Sequence, residues 1–180
     1  MLATAAVTIA ALTMAACGSS SSGGTKLALG TEATVSYAAS ADGTIPAANT
    51  TIAVTVVAVR VGTQDELAAA GLQLDDTAKN STPYYVDAKF TNKGSNAVAR
   101  NLPLDVEDTK GESVSSTIIL DLSGSGFAKC PGNDSGLLNP GESYQSCSLF
   151  LVPKGKKIDR VRFVSQAPDA TITFTDWAAK

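Results

Sequence analysis

Histidine is absent from the chain. That one absence excludes Ser-His-Asp and Cys-His nucleophile arrangements, imidazole proton shuttling at neutral pH and most zinc sites. The serine-rich stretches offer hydroxyls without a base, so a serine nucleophile has no support. Charge is sparse too, at 17% of residues with a formal net charge of −3, and its signs are interspersed. Neutralising phosphates requires a clear basic excess, so nucleic acid is not an expected partner. No internal repeat, coiled coil or P-loop appears, and no cofactor is expected.

What is present begins with an apolar leader. Residues 1–16, MLATAAVTIAALTMAA, carry no charge and end in small side chains. The run is short for a membrane span, which needs about 20 apolar residues, and suits the hydrophobic region of a signal peptide. It closes on Met14-Ala15-Ala16-Cys17-Gly18, followed by Ser19-Ser20-Ser21-Ser22-Gly23-Gly24. This resembles the lipobox of bacterial lipoproteins. The resemblance implies that the Cys17 thiol is diacylglycerated and becomes the mature N-terminus at the outer face of the cytoplasmic membrane. Met14 stands where that family prefers leucine. No Lys or Arg precedes the apolar run, so the basic region is expected upstream of the given start. The expected organisation is a signal peptide over 1–16, a lipidated cysteine and flexible tether over 17–29, and one domain over 30–180. A Ser/Gly tether of this length has an r.m.s. reach of about 17 Å.

Three cysteines are an odd number for an exported protein, but with Cys17 lipidated a single pair remains. Export places Cys130 and Cys147 in an oxidising compartment, where a disulfide between them is expected to persist. Cys147 lies within the segment LNPGESYQSCSLFLVPKG, residues 138–155, around which the domain is organised. Pro140 and Gly141 have the chemistry of a type II turn. Ser143 to Val152 is then apolar enough for one buried strand, stopped at Pro153-Lys154-Gly155. Upstream, Ser123 to Asn139 reads as a long Gly-rich loop carrying Cys130.

The rest is a succession of short β-type runs. Thr31–Tyr37 is a modest strand. Thr50–Val61 is the strongest, apolar on both faces and therefore placed centrally. Thr63-Gln64-Asp65-Glu66 fits a capping box for one short helix ending at Gly71, and Leu72–Thr82 reads as irregular. Tyr84, Val86, Ala88 and Phe90 alternate with Tyr85, Asp87, Lys89 and Thr91, which predicts a half-buried strand with the two tyrosines on opposite faces. Asn92-Lys93-Gly94-Ser95 turns that strand back toward a pairing strand at Ala97–Arg100 and Leu102–Glu107, kinked at Pro103. Val114–Leu122, Ile158–Val164 and Thr171–Thr175, the last closed by Trp177, complete the set.

About seven to nine strands with regular turn signals predict an all-β antiparallel sandwich. The strand VTVVAV, the strand-turn YYVDAKFTNKGSNAV and the segment LNPGES…LFLVPKG together resemble a family of bacterial exported lipoprotein domains of unknown function, immunoglobulin-like and also called telokin-like. The resemblance implies an immunoglobulin-like sandwich at the cell surface and no catalytic residue.

Two charged clusters have functional readings. Lys154, Lys156, Lys157, Arg160 and Arg162 are a candidate contact for anionic headgroups or wall polymers, with Arg160 and Arg162 directed to solvent together; the bland reading is a solvated hairpin that protects a sheet edge. Asp105, Glu107, Asp108 and Glu112 read as a solvated acidic turn, with calcium as the functional alternative. The chain is thus expected to be a lipid-anchored binding or interaction module, not an enzyme, with an envelope protein or anionic wall polymer as partner. Alternatives are an accessory lipoprotein of an envelope complex or transporter, and a carboxylate-based hydrolase using acids such as Asp87 and Asp105.

Overall fold

The computed structural model describes residues 26–40, 47–72, 74–115, 127–131 and 136–180. In chain order these form β1 (Glu32–Ala39), β2 (Ala48–Val61), α1 (Gln64–Ala69), α2 (Asp76–Lys79), β3 (Ser81–Asn92), β4 (Val98–Ala99), β5 (Leu104–Asp108), β6 (Ser113–Ser115), β7 (Leu137–Leu138), β8 (Ser143–Pro153), β9 (Ile158–Gln166) and β10 (Ile172–Ala178). Two four-stranded antiparallel sheets, ordered β1-β2-β3-β8 and β10-β9-β5-β6, pack as a sandwich, and β4 pairs with β7 in a small separate ribbon.

Period-two alternation builds the core between the sheets. Val86, Ala88 and Phe90 of β3 face inward with Ile52, Val54 and Val56 of β2, against Val106, Val161, Phe163 and Trp177 of the second sheet. The Phe90 ring stacks on Tyr144 at 5.2 Å and meets Phe163 at 6.0 Å. Each of these large side chains, removed from water, contributes about 2–3 kcal/mol. As the alternation predicts, Tyr84 and Tyr85 face opposite ways, Tyr84 toward the main core and Tyr85 into a second cluster outside the sheet.

β2 is central, between β1 and β3, but its two-faced apolar pattern has a different cause. A bulge between Val56 and Ala58 resets the alternation. Val57 is left 51% exposed, and Val59 returns to the core side opposite Val86.

Several local expectations meet their physical counterparts. Gly141 has φ +80°, and the Glu142 N–H donates to the Asn139 carbonyl at 3.0 Å, closing the turn before β8. The Thr63 hydroxyl accepts from the Glu66 N–H, and the Glu66 carboxylate accepts from the Thr63 N–H, which is the full capping box of α1. The segment after α1 is not irregular throughout. Asp75 caps a second short helix, α2, by accepting from the Ala78 N–H at 2.7 Å. Two short helices therefore stand where one was expected. The expected strand Val114–Leu122 begins as β6, and its residues beyond 115 lie outside those described.

The segment after Asn92 does not fold back as a hairpin on β3. β4 pairs with β7, and β5 lies between β9 and β6 in the opposite sheet. Asn92 explains the departure. Fully buried, it accepts from the Thr50 hydroxyl at 2.7 Å and the Gly94 N–H at 3.0 Å, and donates to the carbonyls of Asn96 and Leu138. It is a junction between strands as well as a turn residue. The fold also begins ahead of the expected boundary at residue 30. Leu27 runs parallel to β10, with its N–H donating to Asp176 and its carbonyl accepting from Ala178, both at 2.8 Å.

Candidate functional site

The outer face of the first sheet carries the most elaborate construction. Cys130 and Cys147 are joined by a disulfide with Cα atoms 5.1 Å apart, holding residues 127–131 against β3 and β8. Phe127, Cys130, Leu67 of α1, Tyr85 and Leu149 form a second apolar cluster beneath that loop and helix. Arg60 fastens the layer. It donates to Asp87 twice, at 2.6 and 2.8 Å, to the Lys129 carbonyl at 3.0 Å, and lies 3.7 Å from Cys147 Sγ. Its guanidinium also sits 5.2 Å over the Tyr85 ring. Burial, reinforced by the Glu66 carboxylate that accepts from the phenol, pushes the Tyr85 hydroxyl up to about 12. The Thr63 N–H first, then Lys129, hold Glu66 below the usual carboxylate range.

On the outer face of the second sheet, Arg160 and Arg162 share one side, as their alternation predicts. They are not free toward solvent. Arg162 grips Asp176 with two bonds of 2.8 and 2.9 Å and also pairs with Glu107, while Arg160 donates to Asp176 at 3.1 Å. Cross-strand register supplies the reason, since Arg162 stands opposite both Asp176 and Asp105, and Arg160 stands opposite Glu107. Burial by itself pushes the Asp176 carboxyl up. The bonds and charges of Arg162 and Arg160 outweigh it and hold that group below its ordinary value.

The acidic turn is likewise committed. Glu107 and Asp108 are buried, and Asp108 accepts from the N–H groups of Lys110 and Glu112. Lys156 bridges Asp108 and Glu112. Glu107 and Asp108 are thus buried and paired where a solvated turn was expected, while Glu112 stays exposed, and among the described residues no cluster of three or more metal-ligating side chains is present. Of the five basic candidates, Lys154 and Lys157 alone remain exposed and without an ion pair among the described residues. Asp87 and Asp105 do not converge: Asp87 lies on the outer face of the first sheet against Arg60, and Asp105 on the outer face of the second opposite Arg162. Cys17 lies outside the described residues.

Reasoning from sequence missed Arg60, Asp176 and a cleft. Arg60 closes a strand read only for its apolar residues, and Asp176 is meaningful only through its register with Arg162. The cleft, about 460 Å³, opens at one end of the sandwich between the last residues of β1 and the β9–β10 turn. Among the described residues it is lined by uncharged groups, including Tyr37, Asn101, Ser165, Gln166 and Ile172.

An all-β sandwich with a disulfide-held loop and no described helix long and apolar enough to cross a membrane is the class these observations define. No family model and no curated protein matches the chain. Among solved structures it is similar to a secreted protein of Mycobacterium tuberculosis, MPT63, with a TM-score of 0.55 at 12% identity over 88% of this chain and 99% of that one. A conserved hypothetical protein from Bacillus anthracis aligns with a TM-score of 0.44 at 18% identity over 82% of this chain and 97% of that one. The first likeness supports the sandwich fold.

Proposed function

We propose that the chain is an exported, membrane-tethered interaction module whose partner docks on the disulfide-held face of the first sheet. The observation that carries this reading is the Cys130–Cys147 bridge itself. It fixes residues 127–131 over Tyr85 and Leu149, outside the main core, and such a bridge persists in an oxidising compartment. A loop fixed in one conformation loses less entropy when a partner docks. The lipobox-like Met14-Ala15-Ala16-Cys17 supports the tether, and the likeness to a protein described as secreted is consistent with export. The immunoglobulin-like lipoprotein family remains part of this reading through the residues that resemble it.

The reading is non-catalytic. The hydrolase alternative needs paired acids at one cleft, whereas Asp87 and Asp105 are each opposed by an arginine on separate faces. The test is capture of partners from membranes with the intact lipoprotein and with a Cys130→Ser/Cys147→Ser variant. A partner held by the native chain and released by the variant supports the module. Equal capture by both removes the disulfide-held face from the reading, and recovery with transporter subunits would favour the accessory role.

A further inference from the structure

Sandwich topology sorts the loops onto two ends. At one end lie the β8–β9 turn (residues 154–157), the β5–β6 turn, the close of β10 and Lys26, the first described residue. At the other lie the Asn139–Glu142 turn, the β9–β10 turn and the uncharged cleft. Lys26 pairs with Asp159, two positions past Lys157, and the Ala179 N–H donates to the Asp159 carbonyl at 3.1 Å. Lys26 therefore adjoins the β8–β9 turn. Cys17 precedes Lys26 by about nine residues, which can span at most about 30 Å whatever their conformation.

Most carboxylates at this end are already paired with lysines. Asp159 is answered by Lys26, Asp108 and Glu112 by Lys156, and Asp76 by Lys79 at 3.6 Å. Lys154 and Lys157 are exposed with no carboxylate partner among the described residues, and the Lys154 N–H donates to the Asn80 carbonyl, which seats the turn. Two exposed ammonium groups beside the tether match an anionic surface.

We propose that the β8–β9 turn rests on anionic lipid headgroups through Lys154 and Lys157, so that the uncharged cleft at the opposite end is presented away from the membrane. This rests on the tether reading and narrows the anionic contact to two residues of the basic cluster. Each lysine close to an anionic surface favours contact about fivefold, so the pair favours it about 30-fold. The interaction is screened by salt.

The test is hydrogen exchange on the full lipidated chain in phosphatidylcholine vesicles, with and without phosphatidylglycerol. Slowed exchange over residues 153–158 is expected only with phosphatidylglycerol, with residues 139–142 and 167–171 unchanged. Lys154→Gln/Lys157→Gln, whose unaltered melting temperature would show an intact fold, should abolish the protection. Unchanged exchange at 153–158 overturns the proposal, as does protection at the opposite end or protection gained only from an anionic wall polymer. The mass of the N-terminal peptide reports acylation of Cys17 separately, so loss of the tether reading and loss of the headgroup contact give different results.

Discussion

The Arg60 guanidinium lies over the Tyr85 ring at 5.2 Å while gripping the Asp87 carboxylate in a two-bond fork. One side chain thus joins two adjacent strands, an aromatic ring and, through the Lys129 carbonyl, the disulfide-held loop. A lysine would keep the charge but lose the fork and most of the stacking. Arg60→Lys is expected to cost about 1 kcal/mol, since the pair is partly exposed. The check is a denaturant titration, which should show a lower midpoint with an unchanged slope.

Removing the bridge acts mainly on the unfolded chain. Its ends are 17 residues apart, which the chain-entropy model values at about 3 kcal/mol. For a domain of this size, Cys130→Ala/Cys147→Ala or full reduction should lower Tm by about 6–12 °C. A Tm indifferent to reductant would remove the structural role, and non-reduced peptide mapping should recover the two cysteines in one linked fragment.

Asn92→Leu should be among the costly single changes. It leaves the Leu138 carbonyl and the Thr50 hydroxyl without their buried partner, at about 3 kcal/mol or more. Gly94→Ala is expected to destabilise by about 1–3 kcal/mol, because a Cβ there would meet the Thr51 backbone nitrogen at 2.8 Å. Thermal melts of the two variants check both.

Stability should fall on acidification, and the sign follows from the carboxylates. Asp176, Asp108 and Asp159 all titrate in the folded state below their ordinary values. Their contribution is therefore complete above the unfolded pKa of about 4 and is lost as pH falls through the lower folded values. Tm should be nearly constant from pH 5 to 8 and drop below pH 4. Asp176→Asn leaves Arg160 and Arg162 with Glu107 as their shared partner, should cost about 2 kcal/mol at neutral pH and should flatten the acid limb of the profile.

Trp177 is the single tryptophan, fully buried, and its Nε1 donates to the Thr31 carbonyl at 2.8 Å. Trp177→Phe should cost about 2 kcal/mol through the lost bond and the space left behind. In the native chain, emission should shift to longer wavelength on unfolding, in step with the loss of β-sheet circular dichroism.

Local chemistry made much of this fold legible. The capping box at Thr63, the turn at Pro140-Gly141 and the opposite facing of Tyr84 and Tyr85 depend on neighbours a few residues away. What escaped depends on pairing across the chain. Val57 and Val59 looked alike until the bulge separated them, and β5 looked like the partner of β3 until Asn92 directed the segment to the other sheet. Arg160 and Arg162 illustrate the same limit for the site. Their shared face could be read from spacing, but Asp176 and Glu107 opposite them could not.

The pairing of Leu27 with β10 closes the molecule between its first and last described stretches. A chain emerging N-terminus first cannot make this contact until every other strand of the sandwich has appeared, and Trp177, which fastens itself to Thr31, arrives with the last strand, β10. Closure of the sandwich thereby reports that β10 has been made. A product truncated before residue 172 would lack an edge strand and its largest core side chain, and would stay open to proteases that the finished fold resists.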